Sequence, residues 1–145
     1  MSQRLDFYKA NPGAIKAMVG LEQRIAQSSL EKPLIELVRL RASQINGCAY
    51  CMDMHSKDAR DAGEDARRLA TLPGWRETPF FSERERAALE WTEALTLVSE
   101  EHVPDEAWTS VRPHFSDEEL ADLTLLVIAI NGWNRFAIAF RKMPG

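Results

Sequence analysis

Ser116 and Glu119 stand three residues apart just before Leu120, Leu123, Leu125, Leu126, Val127, Ile128 and Ile130, and this stretch limits the fold more than any other. Serine followed at that interval by glutamate is the capping box of a helix start, and the apolar residues after it leave no polar face. Such a helix must be covered all round, which places it at the centre of the molecule or at a subunit interface. Ser82 and Glu85 repeat the box ahead of Leu89, Trp91, Leu95 and Val98, which carry an amphipathic helix towards Glu100. Asn11-Pro12 reads as a cap and first helical residue, with Ile15, Met18, Val19 and Ile25 forming a stripe down to about Gln27. Pro33 opens a further helix carrying Leu34, Leu37, Val38 and Ile45, which Asn46-Gly47 interrupts. The next helix starts near Cys48 and runs to Gly63, and a short segment from Glu64 to Leu72 follows. Residues Pro73 to Phe81 form a loop that Trp75, Phe80 and Phe81 pack down, and Pro104 begins a short helix that ends before Pro113. Eighteen Ala and fifteen Leu against nineteen Val, Ile and Thr together, with no sustained two-residue alternation, make the chain all-α.

A chain of 145 residues closes one hydrophobic core without staples, so residues 1–145 are expected to form a single domain. With 45% hydrophobic and 28% charged residues it lies far from the disordered corner of composition. Eighteen basic against twenty-two acidic side chains, with no block of like charge, argue against a nucleic-acid partner. The longest uncharged run, Leu123 to Asn134, is twelve residues against the roughly 20 that span a bilayer, and the N-terminal residues carry no apolar signal region. No membrane association and a cytoplasmic location are therefore expected. In that reducing compartment the two cysteines, Cys48 and Cys51, are not read as a static bridge.

On a helix, Cys48 and Cys51 lie roughly 60° apart around the axis, Cys51 and His55 roughly 40°, and all three share one face. That arrangement suits thiol redox chemistry. Only the thiolate attacks, and a helix N-terminus lowers thiol pKa through its dipole. The second sulfur lies within closing distance, and an imidazole one turn beyond Cys51 can accept its proton and return it to a leaving oxygen. The cluster thus holds a nucleophile, a resolving thiol and a base. Glu36 can join it only if the chain folds back at Asn46-Gly47, because twelve residues of unbroken helix put it about 18 Å from Cys48. On its own wheel Glu36 shares a face with Arg39 and Ser43, which gives a carboxylate paired with Arg39.

Glu36, eleven residues, Cys48-Ala49-Tyr50-Cys51, three residues and His55 together resemble the active-site pattern of the AhpD-like alkylhydroperoxidases in the carboxymuconolactone decarboxylase superfamily. The resemblance runs from about Asn11 to Leu97, and Asn131-Gly132-Trp133-Asn134-Arg135 is similar to a segment found in short AhpD-like chains. Residues 101–145 then complete the bundle or an interface. The resemblance implies an AhpD-like helical bundle with the CxxC pair at a helix N-terminus, and homo-oligomers, as trimers or hexamers. It also implies cysteine-based reduction of hydroperoxides, and with no haem, flavin or nicotinamide signature in the sequence no cofactor is expected. By that analogy Glu36 and His55 form a proton relay, Cys51 is the peroxidatic thiolate and Cys48 resolves it as a disulfide. The helix dipole favours Cys48 as the low-pKa thiol and the histidine favours Cys51; the assignment follows the histidine. The reductant implied is an external dithiol, lipoyl-bearing or thioredoxin-like. Tyr50 departs from the pattern, standing where some full-length members carry a second histidine; its hydroxyl can donate a hydrogen bond but is no base near neutral pH. The decarboxylase branch of the superfamily lacks the cysteine pair, so lactone chemistry is not expected.

Other readings stand beside this one. The same residues fit a protein thiol-disulfide oxidoreductase or redox sensor with incidental peroxidase activity. They also fit a zinc-stabilised oligomer in which Cys48, Cys51 and His55 gain a fourth ligand from His102, His114 or Glu36, and an inert buried cysteine pair. Trp91 and Trp133 read as core or interface, and Asn131, Asn134 and Arg135 as polar groups serving helix ends or subunit contacts. Arg39 and Arg41 read as ion-pair residues able to hold an anion near the thiolates.

Overall fold

Nine helices and two 3-10 turns account for the ordered backbone in the computed structural model, which describes residues 1–145, and there is no strand. Asn11 accepts from the Ala14 N–H at 3.1 Å and Pro12 supplies the pre-set φ, so α2 spans Pro12–Ala26. Ahead of it lies α1, Phe7–Ala10, a single turn capped by Asp6, too short for any periodicity to reveal. It docks because Phe7 is buried against Phe136 and Phe140 and the Arg4 N–H donates to the Phe140 carbonyl at 2.8 Å. Two helices carry the candidate site: α3, Lys32–Asn46, and α4, Ala49–Asp61. They are followed by α5, Ala66–Thr71, and a 3-10 turn, Leu72–Glu77. Trp75 and Phe81 are buried there with Leu37, Leu40 and Leu89, so this connection packs down as its aromatic residues predict.

Both capping boxes form. Ser82 starts α6, Glu83–Thr96, and Ser116 starts α9, Asp117–Ala139. The amphipathic helix ends at Thr96, short of Glu100; the chain makes one further turn, α7, Val98–Glu101, before His102 and Val103 reverse it at positive φ. α8, Asp105–Val111, and a 3-10 turn, Arg112–His114, lead into α9.

α9 takes the central position that its apolar circumference demands, with α2, α3, α4 and α6 packed around it. Leu123, Leu126 and Ala129 are inaccessible, whereas Ile128 is 56% exposed, so the cover is complete on all but one side. Gly132 sets how closely α2 and α9 approach: a Cβ there would come within 2.9 Å of the Met18 methyl. The AhpD-like bundle anticipated from the motif is the observed fold, and it brings the end of α3, the start of α4 and the last turns of α9 together.

Candidate active site

The site begins with a helix end. Gly47 adopts φ +69°, ψ 31°, and the N–H groups of Gly47 and Cys48 close the last turn of α3 on the carbonyls of Gln44 (3.2 Å) and Ser43 (3.0 Å). The chain turns back and Cys48 becomes the N-cap of α4, its Sγ accepting from the Cys51 N–H at 3.3 Å. Cys48 and Cys51, each 2% exposed, are joined as a disulfide across 5.3 Å between Cα atoms.

The fold-back also delivers Glu36. Its Oε2 lies 3.3 Å from His55 Nδ1, and its Oε1 accepts from Arg39 at 2.8 Å. The ion pair read from the helix wheel and the relay implied by the family motif therefore coexist on one carboxylate. Burial pushes the Glu36 carboxyl up, but the His55 contact and the Arg39 guanidinium outweigh it and hold the group below its ordinary value. An ionised Glu36 makes Nδ1 the protonated ring nitrogen and leaves the imidazole lone pair on Nε2.

Several contacts between helices escaped the sequence reading. Arg39 is shared between Glu36 and Glu22 of α2, and Glu22 in turn accepts from the Trp133 indole at 3.0 Å. Trp133 is thus a wall of the site rather than plain core. Asn134, wholly buried, and Asn131 both accept from the Asn46 side chain at 2.9 Å, and Asn134 donates to Ser43 Oγ at 3.0 Å. The Asn131–Arg135 segment thereby clamps the end of α3; Arg135 itself bonds only to Asn131. Spacing from Asn46 to Asn134 carries no periodic signal, so only the resemblance pointed to this segment. Arg41 does not reach the thiols: it pairs with buried Glu93, as does Arg76. His102 and His114 stay away from the cluster, one ending α7 and the other in the 3-10 turn before α9.

A cavity of about 260 Å³ opens beside the disulfide. Cys51 and His55 line it with Phe7, Tyr8, Tyr50, Met54 and Trp133, whereas Cys48 lies outside the lining, packed with Ala137 and Tyr50. Glu22 and Arg39 separate this chamber from a second hollow of about 640 Å³, which Glu36, Asp58 and Pro33 face. Ligand atoms of Glu36, His55 and Asp58 lie within 4.8 Å of one another, close enough to hold a cation. Both oxygens of Glu36 are already engaged, however, one by Arg39 and the other by His55.

A bundle built around a central α9, with a CxxC pair capping α4 and a carboxylate–imidazole pair beside it, defines a class, and the chain belongs to it: residues 12–94 match the carboxymuconolactone decarboxylase family, and the fold is AhpD-like. Among its relatives, the uncharacterized Bacillus subtilis protein YdfG is 45% identical over 139 residues, covering 96% of this chain and 95% of YdfG. The crystal structure of ATU0492 from Agrobacterium tumefaciens, a protein of unknown function named as a candidate antioxidant defence protein AhpD, superposes with a TM-score of 0.96 at 44% identity over 99% of both chains. An uncharacterized peroxidase-related protein from Silicibacter superposes with a TM-score of 0.83 at 26% identity, over 95% of this chain and 73% of that one.

Proposed function

We propose that the protein is a thiol-dependent peroxidase that reduces hydroperoxides through a Cys48–Cys51 dithiol/disulfide cycle. The observation that carries this reading is the placement of Cys51 and His55 on one apolar cavity, with Cys48 joined to Cys51 behind it and Glu36 bonded to the far nitrogen of the imidazole.

In the reduced protein His55 takes the Cys51 proton on Nε2, and Glu36 stabilises the imidazolium. The thiolate attacks the terminal oxygen of ROOH; the O–O bond breaks, Cys51 becomes a sulfenic acid, and the departing alkoxide takes a proton from His55 to leave as ROH. The Cys48 sulfur then attacks that of Cys51, the S–S bond forms, and hydroxide leaves as water with the Cys48 proton. An external dithiol restores both thiols by two exchange steps and departs as its own disulfide. One hydroperoxide and one dithiol thus become an alcohol, water and a disulfide. The reductant is a lipoyl-bearing or thioredoxin-like partner, the molecule works as a homo-oligomer, trimeric or hexameric, and it acts in the cytoplasm.

The test is hydroperoxide consumption with a dithiol reductant. Cys51→Ser is expected to lower turnover by several orders of magnitude. Cys48→Ser is expected to accumulate a Cys51 sulfenic acid that dimedone traps and mass spectrometry locates. Unchanged turnover in Cys51→Ser overturns the reading, and fast reduction of protein disulfides with negligible peroxide turnover replaces it with a thiol-disulfide oxidoreductase.

A further inference from the structure

Against the rings of two residues that line the apolar chamber beside Cys51 stands a cation that the peroxidase cycle does not use. Lys142 follows the end of α9, where Arg141 takes a left-handed conformation at φ +54° and the Lys142 N–H donates to the Ala137 carbonyl at 2.9 Å. A non-glycine residue seldom adopts that backbone, and here it reverses the chain and brings Lys142 onto two tyrosine rings. The ammonium sits 5.2 Å from the Tyr8 ring centre and 4.9 Å from that of Tyr50. Both tyrosines line the cavity with Cys51.

The two cations near this chamber differ in their partners. Arg39, which lines the chamber, is held between Glu22 and Glu36 and so is not a free cation. Lys142 is half-buried and makes no ion pair with a carboxylate; Asp6, the acidic neighbour of Tyr8, faces Lys9. Burial, Tyr50 and Asp6 hold the Tyr8 phenol above its ordinary value, so it keeps its proton and offers a donor. A half-buried ammonium without a carboxylate, seated on the rings of two tyrosines, keeps its charge free to recognise an anionic oxygen pair.

We infer that Lys142, Tyr8 and Tyr50 form a carboxylate subsite, and that the substrates are hydroperoxides of compact, flat apolar acids. This rests on the peroxidase reading for the word substrate, but the subsite itself does not require turnover. The body of the acid lies between Tyr8, Tyr50 and Trp133, its carboxylate faces Lys142 and its hydroperoxide faces Cys51. A volume of about 260 Å³ falls below that of pockets for drug-sized ligands, which favours a single ring over a long acyl chain.

Two measurements test it. Calorimetry with 4-isopropylbenzoate, which cannot react, is expected to show binding that weakens about tenfold in Lys142→Met and is retained in Lys142→Arg. Arg112→Met, the same charge change in the 3-10 turn before α9, is expected to leave binding unaltered. In steady state, cumene hydroperoxide carrying a para-carboxylate is expected to have a kcat/KM about tenfold above that of cumene hydroperoxide itself, with the ratio falling towards one in Lys142→Met and inverting in Lys142→Glu. Absence of benzoate binding, or equal losses for the acid and the neutral compound, overturns the subsite. If the benzoate binds through Lys142 and no hydroperoxide is consumed, the peroxidase reading fails and the carboxylate subsite stands.

Discussion

Glu36 keeps its charge against its own burial because two cationic or proton-donating neighbours share it. His55 takes one oxygen and Arg39 the other, and Glu22 holds Arg39 from behind. Removing the charge leaves Arg39 with one carboxylate and the imidazole with none. Glu36→Gln is therefore expected to slow peroxide turnover and to lower the urea midpoint at neutral pH. A carboxylate whose folded-state pKa lies below its unfolded-state value contributes stability that is fully present above the unfolded-state value and is lost as pH falls through the folded one. The gap between Glu36→Gln and the wild type should accordingly narrow below about pH 4.5, the ordinary value of the group. Denaturation series at pH 7, 5, 4 and 3 read this directly; a gap that widens towards acid contradicts the assignment.

At the scale of elements, the site depends on the reversal between α3 and α4. Gly47 has open space where a Cβ would stand, so the cost of Gly47→Ala is conformational alone, about 1–2 kcal/mol for a left-handed residue. Asn134→Ala removes one of the two acceptors of Asn46 and the donor to Ser43 in a wholly buried place, with an expected loss of about 1–3 kcal/mol. Chemical denaturation measures both, and Asn134→Ala is further expected to slow turnover because the clamp sets where α4 starts relative to Glu36. The two variants differ in how visible their sites were beforehand. Asn46-Gly47 is a local signal, and the helix break, the N-terminal position of the cysteines and both capping boxes could be read because each is encoded within a few residues. The Asn46–Asn134 bonds, the Glu22–Arg39–Glu36 chain and the Trp133 wall join α2, α3 and α9 across long separations, and no local pattern encodes a pairing of that kind. Glu36 marks the boundary: its own helix predicts the Arg39 contact, and only the fourfold spacing with Cys48, Cys51 and His55 suggested the second one.

For the whole molecule, the remaining question is the one open side of α9. The helix is buried by α2, α3, α4 and α6, yet Ile128 presents 56% of its surface and Ile138 45%. Single exposed aliphatic residues are ordinary, but these two stand on the central helix, whose other large aliphatic side chains are covered by the bundle, the pattern expected where one copy of a chain covers another. The prediction is a homo-oligomer in which Ile128 lies in the interface. Ile128→Asp should lower the mass measured by light scattering while leaving the helical circular dichroism and the thermal transition of the folded chain recognisable, because that side chain supports little of the monomer core. Leu126→Ala on the opposite side of the same helix should do the reverse: it empties a site with no exposure at all, costs about 2–5 kcal/mol, and leaves the mass unchanged while the protein stays folded. A wild type that scatters as a monomer, or an Ile128→Asp variant of unaltered mass, would mean that the open side of α9 is a solvent face and that the bundle is complete in one chain.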